Sequence, residues 1–119
     1  VNDPRGLAPK GFHVPSDAEW TVLTDYLGGV RVAGGKMKST SGWEKDGNGT
    51  NSSGFTGLPG GDRFNDGSFD VIGTNGYWWS STVNSTYYAW YRSLNYSSGD
   101  VSRTIDYKGD GFSVRCLRD

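Results

Sequence analysis

At 119 residues, with 12 basic and 13 acidic side chains and a formal charge of −1, the chain has the size of one domain that buries most of its length without staples. The balanced charge supplies no basic footprint for nucleic acid. No apolar run approaches the length of a membrane helix, which argues against direct membrane insertion. Cys116 is the single cysteine, so an internal disulfide and a multi-cysteine zinc site are both ruled out. The chain opens at Val1-Asn2-Asp3-Pro4, with neither Met nor a basic-then-apolar signal segment, and is expected to be an excised or processed domain.

The first predicted element is a helix. Pro15-Ser16-Asp17-Ala18-Glu19 spells a capping box, in which the Ser16 hydroxyl accepts the Glu19 N–H and the Glu19 side chain reaches back. Asp17 and Glu19 also suit the positive end of the helix dipole. Trp20, Leu23 and Leu27 fall on one stripe, and Gly28-Gly29 ends the helix. A shorter helix is predicted from about Val32 to Ser39, weakened by Gly34-Gly35.

Residues 28–76 carry 14 of the 19 glycines and predict long ordered loops, pinned to the core by Trp43, Phe55, Leu58 and Phe69. Period-2 alternation follows. In Tyr77-Trp78-Trp79 it sends one indole inward and leaves the other at a loop base. Trp90, Arg92, Leu94 and Tyr96 share the inward face of a strand, with Tyr91, Ser93 and Asn95 on the other. Ser97-Ser98-Gly99-Asp100 predicts a hairpin turn, and a strand is expected near Val101–Tyr107. After a second turn at Lys108–Gly111, a closing strand would point Phe112, Val114 and Cys116 inward, making the thiol buried and inert.

Between Val83 and Asp110, 17 of 28 positions are Asn, Ser, Thr, Tyr or Asp, and five are Tyr. Tyrosine gives large amphipathic contact area at low entropic cost, and Ser and Asn give adaptable hydrogen bonds, which is the composition of a paratope. Strand propensity accounts for some of these tyrosines, but not for five in one segment.

The runs Gly11-Phe12-His13-Val14-Pro15-Ser16-Asp17-Ala18-Glu19-Trp20, Ala33–Ser39, Leu58-Pro59-Gly60-Gly61, Tyr77-Trp78-Trp79-Ser80-Ser81-Thr82, Ala89-Trp90-Tyr91-Arg92 and Gly111–Cys116 occur in one order. Nearly end to end, they resemble the Fibrobacter succinogenes major paralogous domain, a family of bacterial surface and secreted proteins. More distantly, Val14–Trp20 and Gly111–Arg115 are similar to the formylglycine-generating enzyme family. Both resemblances imply an α+β, C-type-lectin-like fold: two helices, small twisted antiparallel sheets and long ordered loops. The family usually carries an apolar strand before the equivalent of Asn2–Gly6, so residues 1–119 are expected to be one such domain lacking that first strand, with a sheet edge left open. The tail is also similar to variable proteins of diversity-generating retroelements. That likeness implies fixed frame residues Trp90, Arg92, Leu94, Val101, Arg103 and Phe112. It implies an exposed, interchangeable ligand-binding set of Tyr87, Tyr88, Tyr91, Ser93, Asn95, Ser102, Thr104, Asp106 and Tyr107.

No catalytic constellation is expected. The formylglycine-generating chemistry depends on a cysteine pair, and this chain has one cysteine. His13 is the single imidazole and sits in an apolar stretch, as a loop-fastening residue would. Asp46-Gly47-Asn48-Gly49-Thr50-Asn51 places oxygen ligands on alternate residues, yet lacks the bidentate Glu of an EF-hand. Asp62, Asp66 and Asp70 offer a second acidic loop. Asx turns account for both segments without metal, so no cofactor is expected, one structural calcium being the alternative. The Glu-Pro-Asn and Trp-Asn-Asp triplets of calcium-dependent sugar binding do not occur.

The sequence therefore predicts a non-catalytic ligand-binding domain of a bacterial cell-surface or secreted protein. It would hold a protein or carbohydrate partner through residues 84–110. A polysaccharide-adhesion module using the same tyrosines and a structural spacer domain are the alternatives. Arg92, Arg103 and Arg115, each among aromatic or apolar neighbours, are expected to be structural.

Overall fold

The computed structural model describes residues 5–119; the start of the chain at 1–4, and with it the expected lack of a first strand, lies outside the described residues. Among these residues the elements run β1 (Phe12–His13), α1 (Asp17–Tyr26), α2 (Ala33–Met37), β2 (Asp62–Arg63), β3 (Phe69–Asp70), β4 (Asn75–Val83), β5 (Tyr88–Asn95), β6 (Ser102–Tyr107) and β7 (Leu117–Arg118). They form antiparallel sheets: β1 with β7, β2 with β3, and a three-stranded sheet in the order β4-β5-β6. This is the α+β arrangement of two helices, small sheets and long loops that the resemblance implies.

The capping box at Ser16 forms as its sequence dictates. Ser16 Oγ accepts the Glu19 N–H at 3.2 Å, and Glu19 Oε2 accepts the Ser16 N–H at 2.8 Å. At the other end Gly28 and Gly29 take φ of 108° and 96°, a region open to glycine, and return their N–H groups to Asp25 and Thr24. The second helix is shorter than predicted. Lys38 leaves it for extended backbone, and Gly57 bridges it there, accepting the Ser39 N–H and donating its own N–H to Met37 O. Gly34 lets α2 press its backbone onto the β5–β6 turn, where a Cβ would lie 2.5 Å from the Asp100 carbonyl oxygen.

The core gathers Trp20 and Leu27 from the first helix end, Ala33 and Met37 from the second, and Trp78, Leu94 and Val101 from the sheet side. Trp43 and Phe55 enter from the loops. Phe55 is the hinge of this cluster, edge-on to Trp20 at 5.8 Å and to Trp78 at 5.5 Å. Of the four expected loop pins, only Trp43 and Phe55 are buried. Leu58 and Phe69 are exposed, because that stretch is attached through its backbone: Gly61 N–H to Asn75 O and Gly73 N–H to Pro59 O.

The expected closing strand is also corrected. Segment 112–116 is not a strand, since the free edge of β4 is shared between Gly61, bridging Gly76, and Ser113, bridging Trp78. Regular pairing resumes only at β7, which meets β1 through Phe12–Arg118 and His13–Leu117. Phe112 turns onto the sheet, whereas Val114 is exposed and Cys116 is half-buried rather than enclosed.

One ion network ties the helix to the sheet. Asp17, in the first turn of α1, binds Arg92 Nη1 through Oδ1 at 2.6 Å and Arg103 Nη2 through Oδ2 at 2.8 Å. Arg92, only 3 % exposed, also donates to the Asp17 carbonyl and to Thr21 Oγ1. Arg103 lays its guanidinium 3.7 Å from the centre of the Trp90 ring. Arg115 donates to the Phe55 carbonyl at 2.9 Å, so all three arginines have partners. Burial pushes the Asp17 carboxyl up, but the hydrogen bonds from Arg103 and Arg92 outweigh it and hold the group below its ordinary range.

Asp17→Asn strands a buried guanidinium, and urea unfolding should show a loss of about 3 kcal/mol near neutral pH. Because the folded pKa is lowered, the wild-type contribution is present above about pH 4 and fades as pH falls through the folded value. The gap between wild type and variant should therefore narrow in acid; a gap that is small at neutral pH would show that the network does not hold the sheet.

Candidate functional site

The β5–β6 hairpin carries eight of the nine residues of the expected binding set, Tyr87 lying just before it, and its register decides where each side chain goes. Tyr88 pairs with Tyr107, Trp90 with Ile105, Tyr91 with Thr104, Arg92 with Arg103 and Ser93 with Ser102. The face holding Trp90, Arg92 and Leu94 turns toward the helices. The outer face holds Tyr91, Ser93 and Asn95, continued by Ser102, Thr104 and Asp106.

The nine do not form one patch. Ser102 and Thr104 are exposed on the outer face, beside half-buried Ser93, Asn95 and Asp106. Tyr88 and Tyr107 stand on the other face with ring centres 4.6 Å apart, Tyr107 being 51 % exposed. Tyr87, in the preceding turn, is 69 % exposed. Tyr91 is a correction. It is only 9 % exposed, because Phe112 folds across the outer face and packs on it at 4.8 Å, with Tyr77 at 5.8 Å and Trp79 at 6.0 Å completing the cluster. Trp90 is corrected the other way: it is half-buried, with Arg103 for a lid.

Burial raises the Tyr91 phenol to about 12, with Asp106, Tyr77 and Asp62 adding to the shift. Asp62 is itself pushed up, first by burial and then by Asp70, and its Oδ1 is enclosed without a partner.

Sequence reasoning missed Lys38. It is buried beneath the hairpin turn, donates to Asn95 O at 3.1 Å and Ser98 O at 2.9 Å, and lies 5.4 Å from the Trp43 ring. Burial pushes its pKa down. Lys36, two residues earlier, donates to Leu27 O, so nothing in the local sequence distinguishes the two lysines by role.

The other polar clusters are engaged in structure. Ser16 Oγ donates to Glu19 Oε2 at 3.0 Å, within the helix cap. In the loops, Asn48 Oδ1 accepts the Trp43 N–H, Asn51 Oδ1 the Thr56 N–H, Asp66 Oδ1 the Ser68 N–H and Asp70 Oδ1 the Val71 N–H. These bonds order the two acidic segments through their own side chains.

His13 bridges two carboxylates, Nδ1 to Asp119 Oδ1 at 2.7 Å and Nε2 to Glu19 Oε1 at 2.9 Å, and so fastens the β1–β7 pair to the helix cap. The hydrogen bond to Asp119, then that to Glu19, raises its pKa. A raised pKa means that its stabilisation is complete below the ordinary value of about 6.5 and is lost as pH climbs through the folded value. Glu19, lowered first by the Ser16 N–H and then by His13, sets the acid limit. His13→Gln should therefore lower the melting temperature near pH 6 and leave it unchanged at about pH 9. An equal loss at both would mean that charge plays no part in the clasp.

No described helix is long and apolar enough to cross a membrane. Neither the comparison with curated proteins nor that with solved structures gave a match. The family comparison did: the Fibrobacter succinogenes major domain model matches residues 1–118. The motifs that carried the resemblance are the ones that build the capping box, the second helix and the three-stranded sheet, and the chain belongs to the Fibrobacter succinogenes major domain family.

Proposed function

We propose that this chain is a non-catalytic ligand-binding domain of a bacterial cell-surface or secreted protein, grasping a partner around the β5–β6 hairpin. The observation that carries the reading is the division of labour across that hairpin. Arg92 and Leu94 are committed to the interior, while Ser102, Thr104, Tyr107 and Tyr87 are exposed along β6 and the adjoining turn. Because β6 is an edge strand, one partner can reach both of its faces. Tyr87, Tyr88 and Tyr107 act as anchors on one side. Ser93, Asn95, Ser102, Thr104 and Asp106 supply polar contacts on the other, and Tyr91 supports that face from below. Tyrosine anchors rimmed by small polar groups suit a protein surface. The exposed Tyr87 ring also suits stacking on a sugar, which keeps polysaccharide adhesion as the second reading. A reverse-transcriptase gene beside a near-copy of the codons for 77–119 would add retroelement diversification to this function.

Alanine at both Tyr88 and Tyr107 should weaken any partner found on protein or glycan arrays by about 30-fold or more, equivalent to about 2 kcal/mol. The melting temperature should barely move. Tyr91→Ala should instead destabilise the fold by about 3–5 kcal/mol, as emptying a buried aromatic site does. Binding that survives the double substitution would move the site elsewhere and favour the spacer role.

A further inference from the structure

A groove of ≈ 310 Å³ lies between α1, the loop carrying Ser53 and Phe55, and the C-terminal segment 115–117. No hairpin residue lines it, and its walls are apolar, formed chiefly by Trp20, Leu23, Phe55 and Leu117. Two of its lining residues, Trp20 and Arg115, carry donors. Trp20, 2 % exposed, has its indole Nε1–H buried with no acceptor among the described residues. Arg115 commits Nη1 to the Phe55 carbonyl and lies over the Phe55 ring at 5.0 Å, which leaves the outer part of its five-donor fork for an acceptor.

The one carboxylate on the rim is already turned away. Glu19 directs Oε1 to His13 and Oε2 to Ser16. The groove therefore combines a cationic fork, a buried unanswered donor and apolar walls, at the small end of the size range of ligand sites. We propose that it binds a small apolar carboxylate with a body about the size of one aromatic side chain. The carboxylate would face Arg115 and the Trp20 indole N–H, and the body would lie against Leu23, Phe55 and Leu117. A buried donor without an acceptor is a cost that such a ligand removes, and a planar carboxylate matches the guanidinium fork. This site does not depend on the hairpin reading.

The probe is 3-phenylpropionate, with 3-phenylpropionamide as its neutral isostere, titrated into the ¹⁵N-labelled domain. Cys116 lines the groove and is the single cysteine, so its alkylation rate reports occupancy. At about 10 mM the carboxylate should shift the Trp20 indole signal, leave those of Trp43 and Trp90 in place, and slow alkylation about threefold. The amide should bind about fivefold more weakly, a preference lost in Arg115→Gln and kept in Arg115→Lys. Should Arg115→Gln fail to fold, the comparison of acid with amide in the wild type decides alone. An unmoved Trp20 signal with unchanged alkylation, or equal binding of acid and amide to the wild type, would overturn the proposal.

Discussion

Arg92 and Arg103 sit directly opposite one another on adjacent strands, with both guanidiniums on the helix-facing side. Like charges in that position repel, and a guanidinium as buried as Arg92 is costly to leave alone. The Asp17 carboxylate resolves both problems by standing between them and giving one oxygen chiefly to each. Trp90 takes the far face of Arg103, so the second cation is held by stacking as well as by charge. Since Asp17 is also the first residue of α1, and its N–H is bonded to Thr82 Oγ1, the helix start, β4, β5 and β6 converge on one residue. The position of the hairpin in space follows from that convergence.

A second set of restraints on the hairpin acts on its backbone. Lys38 holds the carbonyls of Asn95 and Ser98, Gly35 N–H reaches Gly99 O, and Val101 N–H reaches Val30 O. A backbone acceptor is the same whatever side chain accompanies it, so the turn at 97–100 keeps its place through bonds that do not specify its sequence. Two earlier glycines serve the same end, because Gly34 in α2 and Gly57 in the following loop allow main chains to meet without an intervening Cβ. These bonds leave the outer side chains of the turn out of what fixes it, which would suit the binding role proposed above.

Much of this was legible in the sequence. The capping box, the Trp20 stripe, the Gly28-Gly29 stop and the turn between β5 and β6 all follow from local rules, and the structure contains each. Two kinds of information were not local. Burial of Tyr91 depends on Phe112, about twenty residues further on, crossing the sheet; the alternating pattern around Tyr91 shows only which face it takes, not what covers that face. The role of Asp17 depends on arginines 75 and 86 positions away. A cue existed, since an inward-phased Arg92 requires a carboxylate, but the capping box already accounted for Asp17 and concealed its second task. Leu58 and Phe69 failed as pins for a related reason: an apolar side chain on a loop held by its main chain need not be buried.

Tyr107 illustrates how the exposed edge is managed. Its N–H is satisfied at 2.8 Å by the carboxylate of Asp106, its own neighbour, rather than by another strand. A free strand edge is a template for unwanted pairing, and a local side-chain acceptor removes one of its donors. The aspartate places a charge on β6 at the same time, which further discourages a flat apolar contact. What the edge then presents is the tyrosine ring of Tyr107 and the hydroxyls of Ser102 and Thr104, with less backbone available. Recognition through side chains can change with sequence, whereas recognition through a bare edge cannot. Under the function proposed above, Asp106 would bias this hairpin toward partners that read its side chains.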